Sequence, residues 1–398
     1  MNSLAFRSTT ALVTFLLGIS VAAVWVFTRN EPRIDPVEIA EQRSSISNST
    51  LEMVFVLDTT GSMGGLIEGA KQRVWGIVNE VMQTESRPDV RVGLVAYRDR
   101  GDVYVTQVVP LTNDLDQVYS ALMSYQAGGG GDTPEDVRRA LFDGVTHVGW
   151  SPKVDRVAQI LFLVGDAPPH DNYADVPDTR STASKASQNG IVINTIQCGR
   201  IPGTKEVWEA IAQRGNGQYF AIAEDGGVET ISTPYDNQLS QLAMKLGGTY
   251  VAYGGGSGEA GEKHRMAARS AALSGERKMA ASAPATAAAE RALNKAINSR
   301  AYTDDLLQNI ENGSVHIEKL KEEDLPTELR ELSPGDRKRE IEKRLAERRE
   351  IRSQIMLLSK QRAEFIAAEK TKSGAKVSGF DAAVLSALRE QLRRKGIN

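Results

Sequence analysis

The sequence is poor in the residues on which thiol enzymes, zinc hydrolases and disulfide-stabilised domains depend. Its 398 residues include one cysteine and four histidines. The single cysteine, Cys198, excludes an intrachain disulfide, and its place at the end of an apolar run is typical of a small packing residue. The histidines show neither the HExxH pattern nor the paired spacing of a zinc protease. The composition therefore gives no support for these chemistries.

An excess of charge of one sign is also absent. The net charge is −3, which gives no general reason to expect a nucleic-acid partner. The glycine run 128–131 lacks the Gly-Lys-Ser/Thr of a P-loop, and Ser62 lacks the preceding glycine of a nucleophile elbow. Residues 256–261 match the dinucleotide fingerprint, but no second strand or acidic partner surrounds them, so we interpret them as a flexible linker. We therefore expect a protein that is not an enzyme.

One long apolar run is present near the amino terminus. Residues 8–28 contain no charged side chain, and residues 11–27 are almost continuously apolar. This length is near the minimum for crossing a bilayer. We predict a tail at residues 1–10 and a transmembrane signal anchor at residues 11–28, with the following domain outside the cytoplasm. The alternative is a secreted protein cleaved after the small residues Ser20-Val-Ala22.

Strand and helix patterns alternate through residues 51–253, after a polar tether at residues 29–50. This alternation predicts an α/β fold with a doubly wound, mostly parallel sheet flanked by helices. The last predicted helix is expected to pack on the sheet. The predicted strands are 53–57, 91–98, 104–109, 157–164, 191–197 and 218–222, and the predicted helices are 66–82, 115–125, 137–148, 179–189, 205–214 and 235–246.

The composition changes again after this domain. Residues 254–300 are rich in glycine and alanine, and we predict a linker with partial helix and little to bury. Residues 301–398 are predicted to be helical, with a long helix that starts at Ser333-Pro334 and runs to about Lys370. A second helix follows, because apolar residues recur every four positions from Phe380. We interpret residues 333–395 as a helical hairpin or coiled coil for a partner or for self-association.

Oxygen-bearing side chains follow two of the predicted strands and occupy one further loop. Asp58, Thr60 and Ser62 alternate after the first strand, Asp166 ends the strand 157–164, and Gly128–Glu135 precedes a helix. Loops at the carboxyl ends of parallel strands form the usual ligand crevice. Carboxylate and hydroxyl oxygens suit Mg²⁺, or alternatively Ca²⁺ or Mn²⁺. The simpler alternative is helix capping, by Thr60 or Ser62 at one helix and by Asp132 or Thr133 at another.

From about Leu51 to Tyr250 the chain resembles a von Willebrand factor type A domain, of the bacterial membrane-anchored kind. The three loops resemble the metal-ion-dependent adhesion site of that family, which implies a divalent cation. The implied ligands are Asp58, Thr60, Ser62, Asp132 or Thr133, and Asp166. The family more often has serine in place of Thr60, and its second-loop ligand is usually threonine. A ligating Asp132 would add a third carboxylate and weaken the cation's attraction for an external one.

The resemblance implies a membrane-tethered protein-binding module for adhesion or assembly, whose protein partner supplies an acidic side chain to the cation. One alternative is a metal-assisted hydrolase in which Asp58 or Asp166 orients water, although no separate general base is evident. Another is a scaffold whose cation is structural or absent. His170 follows Asp166 closely and either borders the cation site or is an exposed loop histidine, the more frequent case.

Overall fold

The computed structural model describes residues 49–84, 86–223, 230–298, 302, 304–373 and 379–397. The predicted amino-terminal tail, the predicted anchor at residues 11–28 and nearly all of the tether lie outside these ranges. Within the described part of the chain, no helix combines the length and the apolar character that crossing a membrane requires.

A mixed sheet forms the centre of the described structure. Its six strands are β1 (Thr50–Asp58), β2 (Asp89–Tyr97), β3 (Thr106–Thr112), β4 (Val157–Gly165), β5 (Ile191–Cys198) and β6 (Asn216–Ile222). Their order is β3-β2-β1-β4-β5-β6, and the pairing is parallel except between β2 and β3. The parallel strands are nearly continuous apolar runs, because helices cover both faces. The predicted mostly parallel α/β sheet is confirmed.

Five helices of the described chain lie between the first strand, β1, and the last, β6. They are α1 (Gly64–Met82), α2 (Leu115–Ser124), α3 (Val137–Thr146), α4 (Thr179–Gln188) and α5 (Thr204–Arg214). Helices α3, α4 and α5 cover one face of the sheet, where Val54 and Val56 of β1 are buried. Helices α1 and α2 cover the other face, where Phe55 stacks on Phe162 at 5.4 Å between ring centroids. Alternate residues of β1 thus enter separate cores.

Residues 254–300 were predicted to be a linker with partial helix and little to bury, but their described part, 254–298, is largely helical and buries several side chains. The later helices are α6 (Asp236–Gly248), α7 (Gly258–Ser282), α8 (Ala285–Ile297), α9 (Leu306–Glu311), α10 (Thr327–Arg330), α11 (Pro334–Ser373) and α12 (Phe380–Arg394). Helix α8 packs against α1 and α6 and buries Ala287, Ala289 and Ala292. Alanine favours helix strongly, and its small side chain allows close approach of helices. The high alanine content of α8 therefore reflects a helix that packs closely against its neighbours.

The helix that completes the sheet comes from the far end of the chain. Val384, Leu388 and Leu392 of α12 are buried in the same core as Phe55, beside α1. The prediction that residues 235–246 pack on the sheet is therefore wrong. Helix α6 instead buries its apolar face against α8 and α11 in a separate core. Both helices carry apolar stripes, and a stripe does not specify the surface that covers it.

Helix α11 continues close to its predicted end and lies against α6 and α8. Its apolar residues Ile341, Leu345 and Ile355 are buried within the chain. These three side chains of the predicted partner surface at 333–395 are thus covered by the chain's own helices, and the partner itself stays a prediction. A short glycine-rich turn before α7 is also used internally. Arg265 donates from Nη1 to the carbonyl oxygens of Gly254 and Gly256 at 2.8 and 3.0 Å.

Buried ion pairs connect the later helices to the sheet domain. Arg291 of α8 donates to Asp116 of α2, and it also donates to Glu276 of α7 at 2.8 and 2.9 Å. Lys295 contacts Glu276 as well. Burial lowers the pKa of Lys295 to about 8, and the Arg291 charge acts in the same direction. Because breaking one partner from a buried pair is costly, this cluster holds α2, α7 and α8 in one arrangement.

Candidate metal centre

The end of β1 places the Asp58 carboxylate in the interior of the domain. Asp58 is fully buried, and its Oδ1 accepts hydrogen bonds from Thr60 N at 2.9 Å and Thr60 Oγ1 at 2.6 Å. The exposed Ser62 places its Oγ 3.4 Å from Thr60 Oγ1. Thr60 makes no side-chain cap bond to the following helical turn. The capping alternative for Thr60 is therefore wrong, since its hydroxyl is directed at the carboxylate.

The second oxygen of Asp58 lies in a space kept open by a glycine. Among the described residues neither Asp58 Oδ2 nor the Tyr97 hydroxyl makes a hydrogen bond of normal length, although the hydroxyl is close enough to act on Asp58 by lowering its pKa. A Cβ atom at Gly165 would lie 3.0 Å from Asp58 Oδ2 and would clash with the Tyr97 hydroxyl. Asp166, which is also buried, follows this glycine directly. A buried carboxylate oxygen without a donor is costly, and a bound cation would satisfy it.

Glu135 joins this group, although sequence reasoning did not assign it as a ligand. Its side chain is buried, and its Oε2 has no hydrogen-bond partner in the described chain. Gly130 separates it from Thr60: a Cβ there would lie 2.9 Å from Glu135 Oε1 and 3.2 Å from Thr60 Cβ. A parallel bridge between Glu135 and Pro169, in which Glu135 N donates to Pro168 O at 3.0 Å, joins this loop to the loop after β4.

We use the name β1 centre for a group of oxygen-bearing side chains around Asp58, which come from the ends of β1 and β4 and from the loop before α3. Its members are Asp58, Thr60, Ser62, Glu135 and Asp166. The only sequence signal for Glu135 was its place in the glycine-rich loop that precedes α3. An acid in that position is ordinarily assigned to a helix end. The bridge between Glu135 and Pro169, which turns the side chain inward, is a tertiary contact that the local sequence does not predict.

The two second-loop candidates, Asp132 and Thr133, are placed differently. Both are exposed, and the Asp132 side chain is 60% exposed. Neither caps the following helix, because Asp136 does so by accepting a hydrogen bond from Arg139 N at 3.0 Å. The predicted capping role of Asp132 or Thr133 is therefore wrong. Asp132 instead belongs to a second group with Asp99 and His170.

His170 borders the strand-end crevice, so its assignment as an exposed loop histidine is wrong. Its side chain is 14% exposed, and its ring stacks on Tyr173 with 4.3 Å between centroids. Its Nε2 lies 3.3 Å from Asp99 Oδ2 and 3.6 Å from Asp132 Oδ2. We call Asp99, Asp132 and His170 the His170 cluster.

The electrostatics of the β1 centre favour a cation. Burial raises the pKa of Asp58 to about 7, and the Asp166 charge acts in the same direction. Burial also raises the pKa of Glu135 to about 9, with Asp58 as the next cause. Raised values show that negative charge is disfavoured at both carboxyl groups. A divalent ion would reverse this penalty and hold both groups ionised, so the residues present fit such an ion.

In a chelator, the free energy of unfolding is expected to fall as the pH rises from 5 to 9. A carboxyl with a raised folded pKa stabilises below its unfolded value of 3.8, and this contribution is lost as the pH passes through about 7. For Asp58 the part of this loss that falls between pH 5 and pH 7 is roughly 3 kcal/mol. Glu135 extends the loss towards pH 9. Urea denaturation at several pH values measures it, and stability that rises through this range would contradict the assignment.

The fold and the β1 centre define an α/β domain with a mostly parallel sheet whose strand-end loops present carboxylate and hydroxyl oxygens. Residues 52–234 match the family model described as von Willebrand factor A domain. This part of the chain is a von Willebrand factor A domain, as the sequence resemblance implied.

Curated relatives share this domain. The von Willebrand factor A domain-containing protein 7 of Rattus norvegicus is 36% identical over 193 residues, which are 48% of this chain and 20% of that protein. The Homo sapiens protein of the same name is 29% identical over 198 residues, or 50% of this chain and 20% of that protein. The chain spans a fifth or less of the length of the curated relatives it matches.

Solved structures include similar domains. BatB from Bacteroides thetaiotaomicron aligns with 16% identity and a TM-score of 0.32, covering 44% of this chain and 91% of that chain. The SpRpn10 VWA domain aligns with 17% identity and a TM-score of 0.32, covering 44% of this chain and 89% of that chain. Likeness at this level supports no conclusion about function.

Proposed function

We propose that the chain is a membrane-tethered protein-binding module for adhesion or assembly, whose β1 centre holds Mg²⁺, or alternatively Ca²⁺ or Mn²⁺. The observation that carries the proposal is a pair of buried carboxyl oxygens: Glu135 Oε2 has no hydrogen-bond partner within the described structure, and Asp58 Oδ2 makes no hydrogen bond of normal length there. Asp58, Glu135 and Asp166 would supply carboxylates, and Thr60 and Ser62 would supply hydroxyls. Such an oxygen set suits a hard cation.

The bound cation would supply an electrophile that accepts an acidic side chain from a protein partner. Ser62 is exposed at the centre, so a partner has access from solvent. The neighbouring loop is fixed by Asp102 Oδ2, which accepts a hydrogen bond from Gly130 N at 3.0 Å. Val103 follows with 91% of its surface exposed and offers an apolar contact beside the centre. We propose binding in place of catalysis.

Glu135 affects how strongly the cation attracts such a partner. With Asp58 and Asp166 it brings three carboxylates to one divalent ion, and their charge would weaken the ion's pull on a fourth. This observation favours a second candidate function, in which the cation is structural and the domain serves as a scaffold. The two functions differ in whether partner binding requires the metal.

The membrane anchor at residues 11–28 is proposed from its apolar sequence, with the domain outside the cytoplasm.

Peptides with a single Asp or Glu are expected to bind the full-length chain in Mg²⁺ and to lose most of that binding in EDTA. The probe is an immobilised peptide library in which each acidic peptide has an Asn or Gln counterpart. Binding should be lost in Asp58→Asn, because the cation loses a ligand. It should strengthen in Glu135→Thr, because the ion then carries less compensating charge.

Asp155→Asn is the matched control, because Asp155 is exposed and precedes β4 at the opposite end of the sheet. It should bind as the wild type does. Equal capture in EDTA and Mg²⁺ would contradict the metal-dependent module and support the scaffold. Equal capture of acidic and amide peptides would contradict the acidic contact.

A further inference from the structure

The His170 cluster has a ligand chemistry that differs from that of the β1 centre. Among the described residues, Asp99, Asp132 and His170 each offer one ligand atom, and these atoms lie within 4.8 Å of one another. The set combines imidazole nitrogen with carboxylate oxygen. Imidazole suits Zn²⁺ and other transition metals, whereas Mg²⁺ and Ca²⁺ prefer oxygen alone. The donor atoms of the cluster therefore suit a different class of cation from those of the β1 centre.

The measured spacing suits one ion bound between the three side chains. His170 Nε2 lies 3.3 Å from Asp99 Oδ2 and 3.6 Å from Asp132 Oδ2. Ligands bound to Zn²⁺ at about 2.0–2.2 Å in a tetrahedron are separated from each other by roughly 3.3–3.6 Å. The separations are thus those of two ligands on one zinc ion. The three side chains leave a fourth position for water or a partner group.

A second observation concerns the buried carboxylate of the cluster. The Asp99 side chain is only 8% exposed, and its Oδ1 has no hydrogen-bond partner among the described residues. His170 Nε2 also makes no hydrogen bond to the described chain. Buried polar atoms are normally satisfied, and each exception calls for a physical explanation. Asp99 Oδ2, the oxygen nearest His170 Nε2, accepts from Tyr173, so Oδ1 is the oxygen of this carboxylate that is left without a partner. A cation bound by the Asp99 carboxylate and by His170 provides an explanation for both unpartnered atoms.

Neighbouring residues hold the side chains of Asp99 and His170 in fixed orientations. Tyr173 donates from its hydroxyl to Asp99 Oδ2 at 3.2 Å and stacks its ring on His170. Arg100 lies over the Tyr173 ring, 3.8 Å from its centroid. The backbone N of His170 donates to Glu135 O at 3.1 Å. Groups that orient a ligand in this way are typical supports of metal sites.

We infer that Asp99, Asp132 and His170 form a second cation site, one that takes a transition-metal ion such as Zn²⁺. It is distinct from the oxygen-only β1 centre, although the same two loops serve both. The loop before α3 carries Asp132 and Glu135, and the loop after β4 carries Asp166 and His170. The exposed Asp132 provides the entry side for the ion.

The test is calorimetric titration of Zn²⁺ into the purified full-length chain in saturating Mg²⁺. Wild type should bind Zn²⁺ saturably, and His170→Ala and Asp132→Asn should each weaken it at least tenfold. Asp132→Asn is informative by itself, because Asp132 is exposed and the change should leave the fold intact. His264→Ala is the matched control: His264 is 46% exposed and its Nε2 lies 3.7 Å from Asp304 Oδ2. It should bind as wild type does.

Co²⁺ gives an independent readout of the same site. Wild type should show visible d–d absorption on Co²⁺ binding, and the band should disappear in His170→Ala while persisting in Asp58→Asn. Zn²⁺ affinity unchanged in both His170→Ala and Asp132→Asn would overturn the inference and leave the cluster as a histidine–aspartate ion pair. A Co²⁺ band lost in Asp58→Asn but retained in His170→Ala would also overturn it, by placing the metal in the β1 centre.

Discussion

A chain that ends at Gly254 is expected to lose its cooperative fold, although it retains all six strands of the described sheet. The reason is that α12 covers the sheet beside α1 from more than a hundred residues further along the chain. The buried large apolar side chains of this carboxyl-terminal segment are Val384, Leu388, Leu392 and Ile397. Burial of such a side chain stabilises by about 1.5–3 kcal/mol. Together they contribute about as much as the net stability of a typical domain, roughly 5–15 kcal/mol.

A chain that ends at Ser373 isolates the contribution of α12, since it keeps α6 to α11. We expect this chain also to aggregate or to lack a cooperative unfolding transition. Circular dichroism during urea denaturation measures the transition in each chain. A chain ending at Gly254 that unfolds with the midpoint and slope of the full chain would contradict the role of α12.

A point substitution tests the same contact without removing any segment. Leu388→Asp places a charge in the core and should cost more than 3 kcal/mol, about the cost of the larger core truncations. Leu357→Asp is the matched control, because Leu357 is 60% exposed on α11. Its cost should stay within about 0.5 kcal/mol. Equal costs for the two variants would contradict the burial of Leu388.

Asp58→Asn is expected to abolish stabilisation by Mg²⁺ and to stabilise the chelated protein at pH 8. Asparagine keeps an oxygen that can accept the two hydrogen bonds from Thr60. It also removes the buried negative charge of Asp58, a carboxyl whose pKa is raised to about 7. The gain in chelator should approach the roughly 4 kcal/mol that the raised pKa represents, because the amide does not ionise.

In the wild type, added Mg²⁺ should raise the free energy of unfolding, whereas in Asp58→Asn it should have no effect. Mg²⁺ at a hundred times its dissociation constant stabilises by about 2.7 kcal/mol. Because the sheet and the later helices are expected to unfold as one unit, that is a rise of roughly 3–5 °C in melting temperature. Thermal unfolding with and without EDTA measures the rise, and Asp155→Asn serves again as the control. An equal rise in Asp58→Asn would contradict a ligand role for Asp58.

The sheet was predictable because each parallel strand is a short, nearly continuous apolar run bounded by polar loops. The same runs end at Asp58 and Asp166, so the place of the site followed from the pattern. Glu135 was harder to assign, because its inward direction depends on the bridge to Pro169. Asp132 has the more suggestive local context, but it lies with His170 instead.

The arrangement of the later helices could not be read from periodicity. Helices α6 and α12 both show apolar stripes, yet only α12 packs on the sheet. An apolar helix face must be buried, but the helix sequence does not identify the element that packs against it. The alanine-rich α8 was predicted to bury little, because small side chains remove little area each. Helix α8 contributes to the fold by packing closely against α1 and α6, and the local sequence does not show these contacts.

Calorimetric titration of Mg²⁺ into the full-length chain, beside Asp58→Asn, tests the central claim most directly. The account predicts one saturable Mg²⁺ site in the wild type at pH 8 and none in the variant. Glu135→Gln should weaken the site, since a carboxylate ligand becomes an amide. Identical titrations of the wild type and Asp58→Asn would contradict the β1 centre as a metal site.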